Sequence, residues 1–298
     1  MKKMPDGFVP TRARVPALAS VAEALARGDL GPAHGVFHAS RDGAWGLRLA
    51  IVRLVDEHVT SGRRIDELAR DGDACWLATS AYRHARERNL REALADCELA
   101  VERDDRDPTP FVIEIFAARG MRDRRKAFER ATEAYIAAQA RAPELYEAHE
   151  QMLHVLSICD ESAERSADSM FQLARSIAGS VPEGVDVAFV PALAHFVQYV
   201  RAVDERRARP QLVANQQAAY EIAAACRRSF GSPRYVPTHR TFTLLHVAAA
   251  LHAVIGDATR LRAELERAGD TYDADVWNAI SGGDGVDAFV AARAQAGL

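Results

Sequence analysis

Along almost all of this chain apolar residues return every three or four positions, and strand-type alternation is nearly absent. That period belongs to helices that bury one face, and it leaves few folds open. From Ala74 the pattern is regular: residues 75–88, 90–103, 111–119 and 125–141 each read as a helix, and 143–184 reads as two helices packed as a hairpin. Further helices are expected over 189–204, 211–230, 239–255 and 258–268, then one around Trp277 and a short tail from Val286. Upstream, 15–27 is amphipathic and Gly28 stops it, 32–40 is a short helical piece, and 44–59 carries the stripe Leu47, Ile51, Leu54 and Val55. Residues 1–14 look like a loose arm. The nearest approach to a strand, GVDVAFV at 184–190, is too short to build a sheet. About fourteen helices joined by short loops make an all-α bundle or solenoid. Gly120 is expected to close the helix before it in the left-handed conformation that glycine tolerates.

A repeat runs through the middle of the chain. Ala131, Tyr135, Ala138 and Pro143 follow one another at spacings of four, three and five. Ala93, Cys97 and Ala100 repeat the first three positions 38 residues earlier, and Ala167, Phe171 and Ala174 repeat them 36 residues later. The prolines that follow those two, Pro108 and Pro182, come eight residues after the last alanine. This looks like the second helix of a tetratricopeptide (TPR) repeat, with a period longer than the usual figure of about 34. There, small residues let two helices approach, an aromatic residue fills the gap, and proline starts the next helix. The fold expected is a right-handed α-solenoid of TPR-like helical hairpins. Residues 1–72 would form an N-terminal helical cap, 73–268 the repeat region and 269–298 a C-terminal helical segment.

The order Pro143, Ala148, His149, Leu153, Phe171, Ala174, Arg175, Pro182, Glu183, Gly184 is narrower still. It resembles an uncharacterised bacterial family of TPR-like proteins, a domain family of unknown function, over roughly 75–200 of the chain. Where that family often carries a Trp-Gly-Gly turn between the two helices, this sequence has CDESAERS. The resemblance implies a fold and no activity.

Composition removes several function classes. Net charge is −4, so no global field recruits nucleic acid or anionic lipid. Lysine occurs only at Lys2, Lys3 and Lys126, leaving 35 of 38 basic residues as arginine, a bias that fits GC-rich coding. Cys75, Cys97, Cys159 and Cys226 form no C-x-x-C pair and sit in apolar helical patterns, as buried reduced thiols do. The basic N-terminus lacks an apolar signal core, and no run of about 18 apolar residues exists, so a cytoplasmic protein is expected. Neither G-x-x-x-x-G-K nor G-x-G-x-x-G occurs, and Ser, Cys and His are too scattered to nominate a triad. No cofactor and no metal are expected.

His149-Glu150-Gln151-Met152-Leu153-His154 is one residue longer than the zinc-protease motif. Five residues rotate about 500°, so the two histidines stand about 140° apart and cannot grip one ion. His149 falls on the apolar face with Leu145, Met152, Leu156 and Cys159, as a core-edge histidine with a hydrogen-bond partner. Glu147, Glu150, His154 and Ser157 share the opposite face, which is expected to be exposed and is the candidate binding set. His246 and His252 are six apart and cannot chelate either. Asp71-Gly72-Asp73 fails as a calcium loop because Cys75 and Trp76 stand at later ligand positions. Asp104 to Asp107 reads as a loop leading through Pro108 into a helix. Arg122, Arg124, Arg125 and Lys126, with Arg206, Arg207 and Arg209, would form an anion-binding strip if their loops shared an edge, and ordinary solvated turns otherwise.

The expected function is binding: a non-enzymatic TPR-like scaffold holding a protein or peptide partner in a helical groove. The alternatives are an enzyme or small-ligand binder with a closed pocket near His149, His195 and Tyr199, and a nucleic-acid-associated regulator using the arginine clusters.

Overall fold

The computed structural model describes residues 4–5, 7–40, 44–59, 62–159, 163–205 and 216–298. The protein is all-α, with 75% helix and sixteen helices among the described residues. Its contacts divide it into two units, 15–166 and 167–298, the latter joined by residues 1–14. No boundary falls at the expected positions 72/73 or 268/269. Within the first unit, buried residues from Leu18 to Ala148 form one continuous cluster.

In the first unit, α1 (Pro16–Ala26) starts with proline at its first turn and stops at Gly28, whose φ of +79° only glycine adopts readily. α2 (Gly31–Ala39) buries Ala33 and Phe37. α3 (Trp45–His58) buries its apolar stripe against α1, α2 and α5. A helix not expected from the sequence, α4 (Gly62–Ala69), packs on α5 (Ala74–Arg86). Then follow α6 (Leu90–Arg103), α7 (Thr109–Ala118), α8 (Arg124–Arg141) and α9 (Tyr146–Cys159). α5 pairs with α6, and α7 with α8, as antiparallel neighbours joined by short turns. α3, α5, α7 and α9 contact one another in sequence as a row, while α6 bridges α5 to α7 and α8 bridges α7 to α9. Small residues make these approaches feasible: Ala93, Cys97 and Ala100 on α6, and Ala131 and Ala138 on α8, are all buried. Gly120 follows α7 and bonds its N–H to Ala117 O at 2.9 Å, without the left-handed backbone expected of it.

The second unit contains α10 (Ala163–Ser180, whose first residues belong to the other unit), α11 (Val190–Asp204), α12 (Gln216–Arg228), α13 (Thr241–Ile255), α14 (Ala258–Ala268), α15 (Ala274–Ser281) and α16 (Gly285–Gln295). The stretch nearest to a strand folds instead as a 3-10 turn, Asp186–Phe189. α11, α13 and α15 each touch the other two, so this unit closes on a shared centre. The arm is not loose. Val9–Pro10 (β1) pairs in parallel with Thr271–Tyr272 (β2), Phe8 stands edge-on to Phe289 at 5.1 Å, and Arg14 pairs with Asp270. One aromatic anchor and a two-residue ladder hold it, features too short to produce a period.

Two buried ion pairs tie the row together. Arg48 on α3, wholly buried, donates to Asp107 in the α6–α7 loop, to Phe37 O at 3.0 Å and to Asp104 at 3.4 Å, and lies over the rings of Phe37 and Trp45. Asp107, just before α7, also accepts Thr109 N at 2.8 Å. Asp56 on α3 receives Arg83 and Arg86 from α5, each at 3.0 Å. Removing one partner of such a pair strands a charge in the interior. Asp107→Ala is therefore expected to lower the unfolding free energy by about 3–5 kcal/mol in urea titration, and Arg48→Met with Asp107→Leu to recover most of it. A loss below about 1 kcal/mol in the single variant would show that the pair does not hold these elements.

Candidate functional site

The polar face of α9 does not meet water as expected. Glu147 and Ser157 are buried at 1% and 5% exposure, and Glu150 and His154 are only partly exposed. The cause is the row itself, since α9 lies against α7 and α8, and Glu150 and His154 lie near Arg53 and Arg119. Ser157 bonds locally to His154 O at 2.8 Å.

What this face meets is a polar cluster built from four consecutive members of the row. α7 supplies Arg119, whose Nη1 donates to Gln151 Oε1 at 2.9 Å, and Gln151 donates on to Glu150 Oε2 at 3.3 Å. α3 supplies Arg53, whose Nη2 lies 3.8 Å from Glu150. α5 supplies Tyr82, stacked on Phe116 of α7 at 5.3 Å, and the Arg119 guanidinium stands 5.4 Å from the Phe116 ring centre. Two guanidiniums therefore face one carboxylate. The Arg53 Nε is buried without a hydrogen-bond partner, an expensive state for a charged donor. Burial, with Arg119 and Arg53 close by, keeps His154 neutral, well below its ordinary range. Burial likewise lowers Arg119 against the pull of Glu150 and raises the Tyr82 hydroxyl. The cluster thus offers cationic forks and an uncharged imidazole, a set that suits a carboxylate or phosphate. Sequence reasoning found Glu150 and His154 but not Arg53 and Arg119, because residues on different helices carry no mutual spacing.

His149, His195 and His246 each sit in hydrogen-bonded surroundings of their own. His149 is the core-edge histidine expected: Nε2–H donates to Pro143 O at 3.1 Å, and Nδ1 accepts the Tyr135 hydroxyl at 2.8 Å, locking α9 to α8. It belongs to the first unit, whereas His195 and Tyr199 belong to the second. His195 Nε2 bonds Glu221 at 3.0 Å, and Arg175 also pairs with Glu221 at 2.9 Å. His246 accepts Trp277 Nε1 at 3.0 Å and donates to Thr271 Oγ1 at 3.0 Å.

Of the two arginine clusters only the first lies among the described residues. Arg122, Arg124 and Arg125 are exposed, Arg125 pairs with Glu129 at 2.9 Å, and Asp123 caps α8 between them. Arg206, Arg207 and Arg209 lie outside the described residues. Among the described side chains Cys75, Cys97 and Cys226 are buried free thiols, as expected.

Among the described residues two sets of side chains gather metal-type donor atoms within 4.8 Å of one another, and neither was found from the sequence. One is Cys226, His252 and Glu264, all buried, with Arg267 at 3.5 Å from Glu264 contributing positive charge. Burial raises Glu264 to about 7. The other is His34, His38 and Asp73, partly exposed. The signal for it was His-x-x-x-His on α2, the i,i+4 spacing that the other histidine pairs lack.

The buried imidazoles carry a pH dependence. Burial lowers His149 to about 4, from an ordinary value of 6.5. The unfolded chain therefore binds the proton first, and stability present above about pH 6.5 is lost as pH falls toward 4. In urea titrations at several pH values, His149→Gln is expected to flatten this slope by about 1 kcal/mol per pH unit, whereas parallel profiles would show His149 titrating normally. No protein-family model, no curated protein and no solved structure matches the chain.

Proposed function

We propose that the chain is a non-enzymatic, tetratricopeptide-like scaffold that binds a protein or peptide partner along the row α3, α5, α7 and α9. Three features support this reading. The paired helices α5/α6 and α7/α8 recur with small buried residues on the second member of each, at the repeat spacing. The first members stand side by side, as the binding helices of a helical-repeat array do. On those helices Arg53, Tyr82, Arg119 and His154 gather about Glu150, while Arg83 and Arg86 are taken up by Asp56. The observation that carries the proposal is the pair Arg53 and Arg119 converging on Glu150, with a buried Arg53 Nε lacking an acceptor. The partner segment this fits is acidic, entering a carboxylate or phosphate between the two guanidiniums. No helix among the described residues is long and apolar enough to cross a membrane.

Peptide display against the purified protein, followed by fluorescence polarisation, tests this directly. Acidic peptides are expected to be selected, to bind less tightly as salt rises, and to lose about tenfold or more in affinity against Arg119→Ala or Arg53→Ala. Selection of neutral apolar peptides, or equal binding by both variants, would contradict the proposal.

A further inference from the structure

His34 and His38 project from the same side of α2, one turn apart, and their rings lie 4.4 Å from each other. Both present Nε2 to one oxygen of Asp73: Oδ2 is 2.9 Å from His34 and 3.0 Å from His38. The second carboxylate oxygen is committed elsewhere. Oδ1 accepts Cys75 N at 2.9 Å and Trp76 N at 3.4 Å, capping α5 and fixing the carboxylate's orientation. The His34 ring is stacked on Trp76 at 5.8 Å with an interplanar angle of 21°, which restrains the imidazole too. Three donor atoms of the kinds that hold metals are thus held at one point by two helices.

We infer that His34, His38 and Asp73 form a binding site for a first-row divalent cation of the Zn2+ or Fe2+ type. The spacing fits. Donors about 2.1 Å from a cation and at right angles to each other stand about 3.0 Å apart, whereas a tetrahedral angle would place them about 3.4 Å apart. The observed 2.9 and 3.0 Å from Asp73 Oδ2 to the two ring nitrogens, with all three donor atoms within 4.8 Å of one another, bring the ligands to one side of a single ion. The Asp73 N-cap bonds and the Trp76 stack supply the outer support that metal ligands need. Side-chain exposures of 43%, 28% and 26% for His34, His38 and Asp73 leave the remaining positions open to water or an anionic ligand. Two neutral imidazoles and one carboxylate leave a bound dication with one net positive charge, so an anion is the favoured occupant of the open side. The buried set Cys226, His252 and Glu264 lacks this access and has arginine beside it. The inference is independent of the partner-binding proposal, which uses a different set of residues.

The test uses the full chain without a histidine tag, stripped with chelator and titrated with Zn2+ by calorimetry. One equivalent is expected to bind, weakened about 100-fold in His38→Ala and in His34→Ala, and unchanged in the control His58→Ala. Circular dichroism establishes that each variant is folded. Co2+ titration gives a second readout: visible d–d bands and quenching of Trp76 emission, both absent in Trp76→Phe for the emission and in the histidine variants for the bands. Absence of stoichiometric binding by the intact chain, or equal binding by the His34→Ala/His38→Ala double variant, would overturn the inference and leave a hydrogen-bonded helix cap.

Discussion

The first unit depends on a guanidinium placed where no water reaches it. Arg48 is wholly buried, and its acceptors come from α2 and from the loop between α6 and α7. A charge in that position is tolerated only when its partners are fixed. The loop is therefore held in place by the same interaction that fills the centre of the unit, and Asp107 passes that order to the start of α7. Asp56, with Arg83 and Arg86, does the same between α3 and α5. Apolar contact alone lets helices slide; these directional bonds set their register, so that residues far apart in sequence face one another across the row.

That register makes the cluster on α3, α5, α7 and α9. Arg53, Arg119 and Glu150 each come from a different helix, and none would meet the others without the row. The buried alanines of α6 and α8 act on the same geometry from behind, by permitting the bridging helices to sit close. Packing and electrostatics are thus one arrangement seen at two levels. The second unit uses a different device: α11, α13 and α15 surround a shared centre in which Trp277, His246 and Thr271 satisfy one another.

The helices were legible because burial imposes a period, and His149 because its angle placed it among apolar neighbours. α4 escaped because eight residues bounded by glycines resemble punctuation, although Ile65 is fully buried. The docked arm escaped because a single aromatic residue, Phe8, and a two-residue ladder leave no period to read. The polar face of α9 was legible as polar, but a pattern cannot separate a side chain facing water from one facing Arg119. His34 and His38 did carry a readable i,i+4 signal. Its third member, Asp73, lay one helix-pair away and read only as part of a failed calcium loop, whereas it caps α5.

The central claim is that the row α3, α5, α7 and α9 is a recognition surface for an acidic segment. Hydrogen-exchange mass spectrometry of the full chain, with and without a saturating acidic peptide, addresses it most directly. The account predicts added protection in segments from α3, α7 and α9, around Arg53, Arg119 and Glu150, with the second unit unchanged. Protection confined to 167–298, or none at saturation, would contradict it.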